Sequence, residues 1–373
     1  MSKILLGNYN ILGWFFLCFL TTTSTSQAQI IPDNTLGKDS SVVRQDNVKG
    51  TVIEGGLIRG SNLFHSFSKF NIEEGKSAYF DGRDAYFQNP TKVDNIIGRV
   101  TGSDPSNILG KLGVIGNANL FLINPNGILF GRNAQLDLQG SFVASSADSI
   151  VFDNGFEYSA SNPQAPPLLT INLPLGLRFG RVPGKIINRS TVSTGKDFQT
   201  EEKIGLQVQP AQTIALIGGE VLMQSGIIKA PGARIELGGV AGNSLVHLSP
   251  MSFGWALGYE GVEKFQDIQF SQGAFASTSG ERGGDIQLYG RRIAITGHSG
   301  VDTINVGVNP GGNITVKASE SVELDEGELT SGSFSEATGV AGDIKIITKR
   351  LTVSNDSFID ASSDGAGQGG NII

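Results

Sequence analysis

Gly283-Gly284-Asp285-Ile286-Gln287-Leu288 decides the fold, because this pattern returns down to the last residues of the chain. It recurs with small changes at residues 311–316, 341–346 and 369–373. Its Asp or Asn stands at positions 285, 313, 343 and 371, so the steps are 28, 30 and 28 residues. A fixed period of about 20 to 50 residues is typical of a solenoid.

Each repeat contains three short stretches in which apolar and polar residues alternate. In the first repeat they are residues 286–288, 292–295 and 301–306. Alternation with period two predicts strands, whereas helical repeats need apolar residues spaced by three and four over about ten positions. A propeller blade has four strands in about 40 to 50 residues, which exceeds this period. The pattern therefore predicts an all-β fold, a right-handed parallel β-helix with an N-terminal cap and extra-helical strands.

The glycine and Asp/Asn positions of the repeat are expected to form its corners. Glycine adopts positive φ freely, and an adjacent Asp or Asn can hydrogen-bond the local backbone or stack on its equivalent in the next coil. Calcium binding would need several aspartates in each corner, and residues 365–370 contain none, so we predict no metal. The predicted corner residues are Gly284, Asp285, Gly312, Asn313, Gly342 and Asp343.

The N-terminus has the three-part layout of a secretory signal peptide. Lys3 supplies a positive start, residues 11–20 form an apolar run, and the small residues Ser26 and Ala28 mark a cleavage site. The run is shorter than the roughly 20 apolar residues of a membrane span. We predict a signal peptide at residues 1–28 and a mature chain that begins near Gln29; a buried N-terminal strand or helix is the alternative.

The composition excludes several classes of protein. Cys18 is the only cysteine, so the mature chain would have no disulfide and must be stabilised by core burial and backbone pairing. Glycine accounts for 51 of 373 residues, charged residues for 17%, and the net charge is −7. Such a chain is too apolar to be disordered, and it lacks the basic character of proteins that bind nucleic acid.

The chain divides into a signal peptide at 1–28, a domain at 29–280 and β-helix repeats at 281–373. A solenoid needs covered ends, because open strand edges invite aggregation. Residues 33–75 are irregular enough to form the front cap. No polar segment covers the back, so we expect the sequence to be a fragment of a longer exoprotein or a gene cut short.

The segment GNANLFLINPNGILFG, residues 116–131, is the most informative one outside the repeats. Residues 124–127 form a strong turn, because proline fixes φ at the first inner position and Asn and Gly accept the remaining values. The flanking residues 120–123 and 128–130 are apolar at successive positions. Such strands are expected to be buried on both faces, one in the coil interior and one under a covering element.

This segment resembles the N-terminal secretion domain of filamentous haemagglutinins and related two-partner secretion exoproteins. That family carries an Asn-Pro-Asn-Gly-Ile motif, which is complete here, and an Asn-Pro-Asn-Leu motif, in which Ala118 replaces the proline. The resemblance extends over roughly residues 33–290. The residues that match the two motifs are Asn117, Asn119, Leu120, Asn124, Pro125, Asn126, Gly127 and Ile128.

The resemblance implies a route and a partner. Proteins of this family cross the inner membrane by general export, and an outer-membrane β-barrel transporter then recognises the N-terminal domain. The exposed shaft serves adhesion or another cell-surface interaction, and the two Asn motifs serve secretion, either by shaping the domain or by being read. We therefore expect a secreted or surface-exposed adhesin whose partners are that transporter and an unidentified receptor or glycan. We expect no nucleic acid and no small-molecule cofactor.

The placement of reactive residues disfavours an enzyme. Adjacent acids in a strand face opposite ways, so the pairs at 73–74, 201–202 and 325–326 would not form carboxylate dyads. A polysaccharide-active β-helix needs carboxylates from neighbouring coils about 5 to 10 Å apart. This enzyme and a purely structural surface shaft are the two alternatives to the adhesin. The histidines, which lie far apart in sequence, are His65, His247 and His298.

Two aromatic stretches, near 152–167 and 251–265, interrupt the regular pattern. Loops on a rigid solenoid often bind partners. We favour the interpretation that these aromatic residues cover the flank of the shaft, because exposed aromatic patches are uncommon without a partner.

Overall fold

The computed structural model describes residues 29–83, 92–166, 173–193 and 204–373. The predicted signal peptide lies outside the described residues. Strands are the main regular elements of the described part of the chain, which also contains a 3-10 turn at Gly37–Asp39. No helix in these ranges is long and apolar enough to cross a membrane.

The strands follow one another along the chain in four groups. The N-terminal strands are β1 (Ile30–Pro32), β2 (Ser41–Asp46), β3 (Gly50–Gly55) and β4 (Leu57–Arg59). The next group comprises β5 (Asn62–Phe70), β6 (Ser77–Asp81), β7 (Asn95–Val100), β8 (Ser106–Ile108), β9 (Lys111–Ile115), β10 (Asn119–Ile123), β11 (Ile128–Phe130), β12 (Gln135–Asp137) and β13 (Phe142–Ser145). The third comprises β14 (Ser149–Phe152), β15 (Glu157–Ser159), β16 (Pro174–Arg178), β17 (Ile186–Asn188), β18 (Leu206–Gln207), β19 (Thr213–Gly218), β20 (Val221–Gln224), β21 (Ile227–Lys229) and β22 (Arg234–Gly239). The last comprises β23 (Leu245–Pro250), β24 (Trp255–Gly258), β25 (Ile268–Ser271), β26 (Phe275–Ser277), β27 (Asp285–Asn305), β28 (Ile314–Ser333), β29 (Ile344–Ile347), β30 (Leu351–Ser354) and β31 (Phe358–Asp360).

The chain winds as a parallel β-helix with three faces, so the predicted fold class is confirmed. The first face stacks β5, β7, β10, β13, β19 and β22 in parallel register. The second face stacks β8, β11, β17, β20 and β25. The third face includes β6, β9 and β12 near the front and β18, β21 and β26 further along.

The C-terminal repeats continue this winding with longer strands than the sequence predicts. Three short strands per repeat are expected, but β27 and β28 each run through all three faces without interruption. Shifts of register between Gly290 and Arg292, and between Thr296 and Ser299, mark where the β27–β28 pairing bends. Ile286 pairs with Ile314, which in turn pairs with Ile344, so equivalent repeat positions stack directly.

A second layer covers the first face. Strands β15, β14, β16, β23 and β24 form an antiparallel extra-helical sheet. Apolar residues of this sheet pack against the outward side chains of the first face, such as Phe121, Val143 and Ile217. Residues 120–123 are therefore buried on both faces, as predicted. The same expectation for 128–130 is wrong at Leu129, which is half-buried because β11 belongs to the uncovered second face.

The front of the solenoid is closed by a shorter cap than residues 33–75. Strand β1 pairs antiparallel with β5, and β2 and β3 form an antiparallel hairpin. Strand β5 itself, however, pairs in parallel with β7 and belongs to the first coil. Its side chains Leu63, Phe67 and Phe70 lie in the coil interior, which explains the apolar stretch assigned to the cap.

The prediction that the repeat glycines have positive φ is wrong. Gly284, Gly312 and Gly342 do not lie in the left-handed region. A Cβ atom on each would instead overlap the backbone of the preceding coil, at Ala233, Gly284 and Gly312 respectively. Glycine is therefore needed for close stacking of coils. The left-handed corner lies between the second and third faces, at Ser225, Gln272, His298, Glu326 and Asn355.

A buried arginine joins the cap, the first coil and the extra-helical sheet. Arg99 on β7 is fully buried. Its guanidinium donates to Ser66 Oγ at 2.9 Å and Thr35 Oγ1 at 2.8 Å, and to the backbone oxygens of Ser159 at 2.9 Å and Gln164 at 3.0 Å. It also lies 4.0 Å from the centre of the Tyr158 ring.

Asp33 supplies the negative charge near this arginine. Its carboxylate accepts hydrogen bonds from Thr35, Ser66 and Thr101. Burial opposes its ionisation, but these hydrogen bonds outweigh burial and lower its pKa below the usual value. We call Asp33, Thr35, Ser66, Arg99 and Thr101 the Arg99 cluster.

His65 is a core residue, as its phenylalanine-rich surroundings suggest. It is fully buried, its Nδ1 lies 2.9 Å from Ser41 Oγ, and its Nε2 has no hydrogen-bond partner. Its ring lies 5.2 Å from the ring of Phe80. Burial lowers its pKa to about 3, so it is neutral in the folded domain at ordinary pH.

Acidification is therefore expected to destabilise the domain through His65. The unfolded histidine takes up a proton below its usual pKa, whereas the folded one does so only near 3, so stability falls as pH drops between these values. The loss from pH 7 to pH 5 should be about 2 kcal/mol in the free energy of unfolding. Urea denaturation of wild type and His65→Gln at both pH values measures it, and equal losses in the two proteins would contradict this assignment.

Candidate functional site

Asn124, Pro125, Asn126 and Gly127 form a β-turn between β10 and β11. Gly127 N donates to Asn124 O at 2.9 Å and closes the turn. Asn124 Oδ1 accepts a hydrogen bond from Asn126 N at 3.0 Å, so the first side chain reinforces the same turn. Gly127 has φ of 107°, whereas Asn126 does not adopt positive φ. The left-handed position of the segment thus falls on the residue that tolerates it.

The Asn124 side chain binds the turn to the preceding coil. It is 0% exposed, and its Nδ2 donates to Asp104 O and to Ser106 Oγ, both at 3.0 Å. Asn126 is exposed, but its Nδ2 donates to Gly102 O at 2.8 Å. Leaving a buried amide or its partners without hydrogen bonds costs about 1 to 3 kcal/mol. These bonds therefore fix where β11 begins relative to residues 102–106.

The same turn is fixed to the following coil through its backbone. Pro125 O accepts from Gly184 N at 2.8 Å, and Ile128 N donates to Lys185 O at 3.0 Å. A Cβ atom on Gly127 would lie 2.5 Å from Lys185 O, so only glycine allows this approach. Ile128 is buried and pairs with Ser106 on one side and Ile186 on the other. We call residues 124–128 with these bonds the three-coil clamp.

The residues of the second motif have different environments. Asn117 is exposed, and in the described part of the chain its side chain makes no hydrogen bond. Ala118 is buried, and the next coil approaches it closely, since a Cβ on Gly140 would lie 2.5 Å from Ala118 O. Leu120 is buried in the coil interior. Asn119 is half-buried and belongs to a column of polar residues.

This column of asparagines runs along the start of the first face. Asn95 Nδ2 donates to Asn62 Oδ1 at 2.9 Å, and Asn119 Nδ2 donates to Asn95 Oδ1 at 2.9 Å. Asn119 Oδ1 then accepts from Ser141 N at 2.9 Å. Asn62 and Asn95 were not predicted from the sequence. The steps from Asn62 to Asn95 and from Asn95 to Asn119 are 33 and 24 residues, unlike the C-terminal period. The irregular coil lengths at the front concealed this repeat.

The C-terminal corners have an equivalent column. Asp285 Oδ1 accepts from Asn313 N at 3.0 Å, Asn313 Oδ1 from Asp343 N at 2.8 Å, and Asp343 Oδ1 from Asn371 N at 2.7 Å. Each side chain therefore bonds the backbone of its equivalent in the next coil. Gly284, Gly312 and Gly342 precede these residues and permit the close spacing that the bonds require. The arrangement holds successive coils in register.

The structure does not bring the histidines together. His65 is buried in the first coil and His247 is exposed on β23. His298 is exposed at the left-handed corner, where its Nε2 lies 3.9 Å from Glu326 Oε2. Within the described ranges, no group of three or more His, Cys, Asp or Glu is arranged to hold a metal ion.

Two carboxylates of neighbouring coils share the outer side of the third face. The register places Gly300 opposite Glu328, and Asp302 is two residues further along β27. Burial raises the pKa of both, and the charge of Asp302 adds to the shift of Glu328. The carboxylate of Asp302 nevertheless accepts from Ser279 Oγ at 3.0 Å, whereas Glu328 lines a groove with His298 and Phe358. The two carboxylates therefore have different neighbours, although the charge of one acts on the other.

The aromatic stretches mainly cover the shaft. Phe152, Tyr158, Trp255 and Tyr259 are buried between the extra-helical sheet and the first face, in agreement with the covering interpretation. Met251 and Phe253 at the turn between β23 and β24 differ, since they are 49% and 61% exposed. Residue 167, at the end of the first aromatic stretch, lies outside the described residues.

The fold of this chain defines its class of protein. It is a β-helix with a capped front, an extra-helical sheet and asparagine-rich turns. It matches the model of the TPS secretion domain over residues 28–288 and therefore belongs to that family, which occurs in exoproteins of two-partner secretion. The resemblance seen in the sequence is thereby confirmed.

Solved structures of two such domains are similar to this chain. The filamentous hemagglutinin secretion domain is 15% identical, with a TM-score of 0.44, and the match covers 92% of this chain and 99% of that one. The HMW1 secretion domain from Haemophilus influenzae is 16% identical, with a TM-score of 0.48, and the match covers 92% and 94%. No curated protein sequence matches the chain.

Proposed function

We propose that this chain is a surface adhesin whose N-terminal domain is exported through an outer-membrane β-barrel transporter. The observation that carries the proposal is the family match over residues 28–288, because that domain is the secreted partner of two-partner systems. The chain reaches the cell surface through the periplasm, and its β-helical repeats contact a receptor or glycan. No cofactor takes part in this function.

The geometry of the three-coil clamp supports a role in folding. Asn124 is completely enclosed, and its polar atoms are engaged by residues 104, 106 and 126. A transporter cannot contact this side chain once the domain has folded. The motif therefore acts in one of two ways. It sets the register of three successive coils, or the transporter recognises it while the chain is still extended.

Coil-by-coil folding gives the exported chain a direction. Each first-face strand pairs in parallel with the strand of the preceding coil, and a solenoid coil contacts only its neighbours. Folding outside the membrane removes unfolded chain from the exit and favours further movement outward. Folding can start at the front of the solenoid, because the Arg99 cluster joins residues of the cap to the first coil.

Replacement of Asn124 by alanine is expected to abolish most export and to lower the free energy of unfolding by about 2 kcal/mol. The reason is that removal of the buried amide leaves its hydrogen-bond partners unsatisfied. The measurement is the amount of protein in the medium when the chain is expressed with the outer-membrane transporter of its own system, beside urea denaturation of the purified protein.

The control is Asn47→Ala, because Asn47 is exposed in the turn between β2 and β3, lies outside both motifs, and has no side-chain hydrogen bond in the described part of the chain. It should change stability by less than about 0.5 kcal/mol and leave export intact. An Asn124→Ala protein of unchanged stability that is not exported would show that the motif is read directly. Export that does not need the transporter would refute the proposal as a whole.

A further inference from the structure

A buried carboxyl group lies beneath the β23–β24 hairpin. Glu236 on β22 is 0% exposed and points outward from the coil, between the core residues Ile235 and Leu237. The register places it in the same row as Phe121, Val143 and Ala215 of the preceding coils, all of which are apolar and covered by the extra-helical sheet. A glutamate thus occupies a position that is apolar in three preceding coils.

The hydrogen bonding of this carboxyl is incomplete. Oε1 accepts from Arg234 at 3.1 Å and from the backbone nitrogen of Leu257 on β24 at 3.4 Å. Oε2 has no partner, and neither does the buried hydroxyl of Tyr259 at the end of the hairpin. Tyr259 lies flat against Tyr289, with ring centres 4.2 Å apart and planes inclined by 9°. A buried carboxylate without full hydrogen bonding is costly, so such a group is held neutral.

The surrounding charges do not compensate a negative Glu236. Arg234 is shared, because it also bonds Asp285 Oδ2 at 2.5 Å. The other charged groups near this site are Glu260 of the hairpin, which acts on Tyr289, and Lys317 of β28, which lies 5.8 Å from the Tyr289 ring. Arg282 lines the adjoining groove, where its Nε donates to Gly232 O at 3.1 Å, and it forms no ion pair within the described residues. With the carboxyl protonated, Arg234 and Asp285 cancel. With the carboxyl ionised, an uncompensated negative charge lies under the hairpin.

We propose that the β23–β24 hairpin is a pH-dependent latch on the shaft, which is closed when Glu236 carries a proton and loosened when Glu236 is ionised. Opening relieves the buried charge by admitting water to it. Protons reach the site from an adjoining groove, because Arg234 and Asp285 line that groove together with Met251 and Phe253 at the hairpin tip. The latch is a property of the folded domain and does not depend on the transporter.

The direction of the effect follows from proton binding. Burial raises the pKa of Glu236 to about 8, although the charge of Arg234 opposes this shift. In the open hairpin the carboxyl meets water and ionises near its ordinary pKa. The closed state therefore binds more protons between these two values, and closure weakens by about tenfold per pH unit until pH exceeds about 8.

Hydrogen exchange of the full chain tests the latch. Exchange rates corrected for intrinsic pH dependence are compared between residues 245–258 of the hairpin and residues 119–123 of β10, from pH 5.5 to pH 9. The hairpin should lose protection by about tenfold per pH unit up to about pH 8, while β10 changes much less. Equal slopes in the two segments would indicate global unfolding and would overturn the proposal.

Two variants separate Glu236 from its neighbours. Glu236→Gln mimics the protonated carboxyl and should abolish the pH dependence of the hairpin, whereas Glu260→Gln, which changes an exposed acid two residues beyond β24, should retain it. A slope that persists in Glu236→Gln would overturn the proposal. Should that variant not fold, infrared spectroscopy of the wild type decides, because the C=O band of a protonated carboxyl must be present at pH 7 and vanish by pH 9.

Discussion

Replacing Arg99 by leucine is expected to lower the free energy of unfolding by about 3 to 5 kcal/mol, the usual cost of removing one member of a buried charged network. The guanidinium satisfies two hydroxyl groups and two backbone oxygens, and the leucine satisfies none of them. Asp33 would keep its charge without the nearby cation. Urea denaturation at neutral pH measures the change.

Arg178→Leu is the matched control for Arg99→Leu. Arg178 also carries a positive charge on a strand of the described structure, but its ion pair with Glu157 is exposed, with 47% and 37% of the two side chains accessible. Exposed ion pairs contribute about 0 to 1 kcal/mol, so this variant should lose little stability. Equal losses in both variants would show that the buried position of Arg99 has no special importance.

The contacts of the Arg99 cluster also predict which part of the domain the Arg99→Leu substitution destabilises most. Residues 33 and 35 come from the cap, and 66 and 99 come from the first two coils. Residue 159 ends β15, and residue 164 lies in the segment that follows it. The extra-helical sheet therefore loses an anchor at its front edge when Arg99 is removed. Proteolysis of the variant should begin in residues 153–166 at protease concentrations that leave the wild type intact.

The C-terminal fold was predictable because its information is local and repeated. One Asp or Asn in each repeat bonds the backbone of its equivalent in the next repeat, so the period in the sequence is the period of the hydrogen bonds, 28 and 30 residues. Alternating Ile, Val and Leu identify the inward side of each strand. The turn at 124–127 was predictable for the same reason, since its geometry is set by four consecutive residues.

Arg99 and Glu236 could not be found in this way. Both are charged residues in strands, where the ordinary expectation is exposure. Their burial is caused by the extra-helical sheet, which contacts Arg99 through Ser159, 60 residues further along the chain, and Glu236 through Leu257, 21 residues further along. Nothing within a few residues of either position reveals this cover.

The reason for the repeat glycines was likewise beyond the sequence. A glycine beside an Asp or Asn resembles a turn, and turns commonly need positive φ. The requirement here comes from the carbonyl group of the preceding coil, which lies where a Cβ would be. The distance between the glycine and this carbonyl group depends on how closely two coils stack, and no pattern of residue types in the sequence indicates it.

The glycine stack leads to the second large effect, at Gly312. Gly312→Ala is expected to destabilise the repeats by about 3 kcal/mol, the upper end of the range for overpacking, because the new Cβ meets the backbone of Gly284 and no side chain can move aside. Gly332→Ala is the control, since a Cβ there lies 3.4 Å from Ser362 O and fits at ordinary contact distance.

The coils beyond the substitution should separate first, because each coil is stabilised mainly by its neighbours. Hydrogen exchange should therefore show residues 313–373 opening in Gly312→Ala while residues 119–123 keep their protection, and Gly332→Ala should match the wild type. Full protection of 313–373 in the Gly312 variant would mean that the coils can move apart at little cost, and the stacking explanation for these glycines would have to be abandoned.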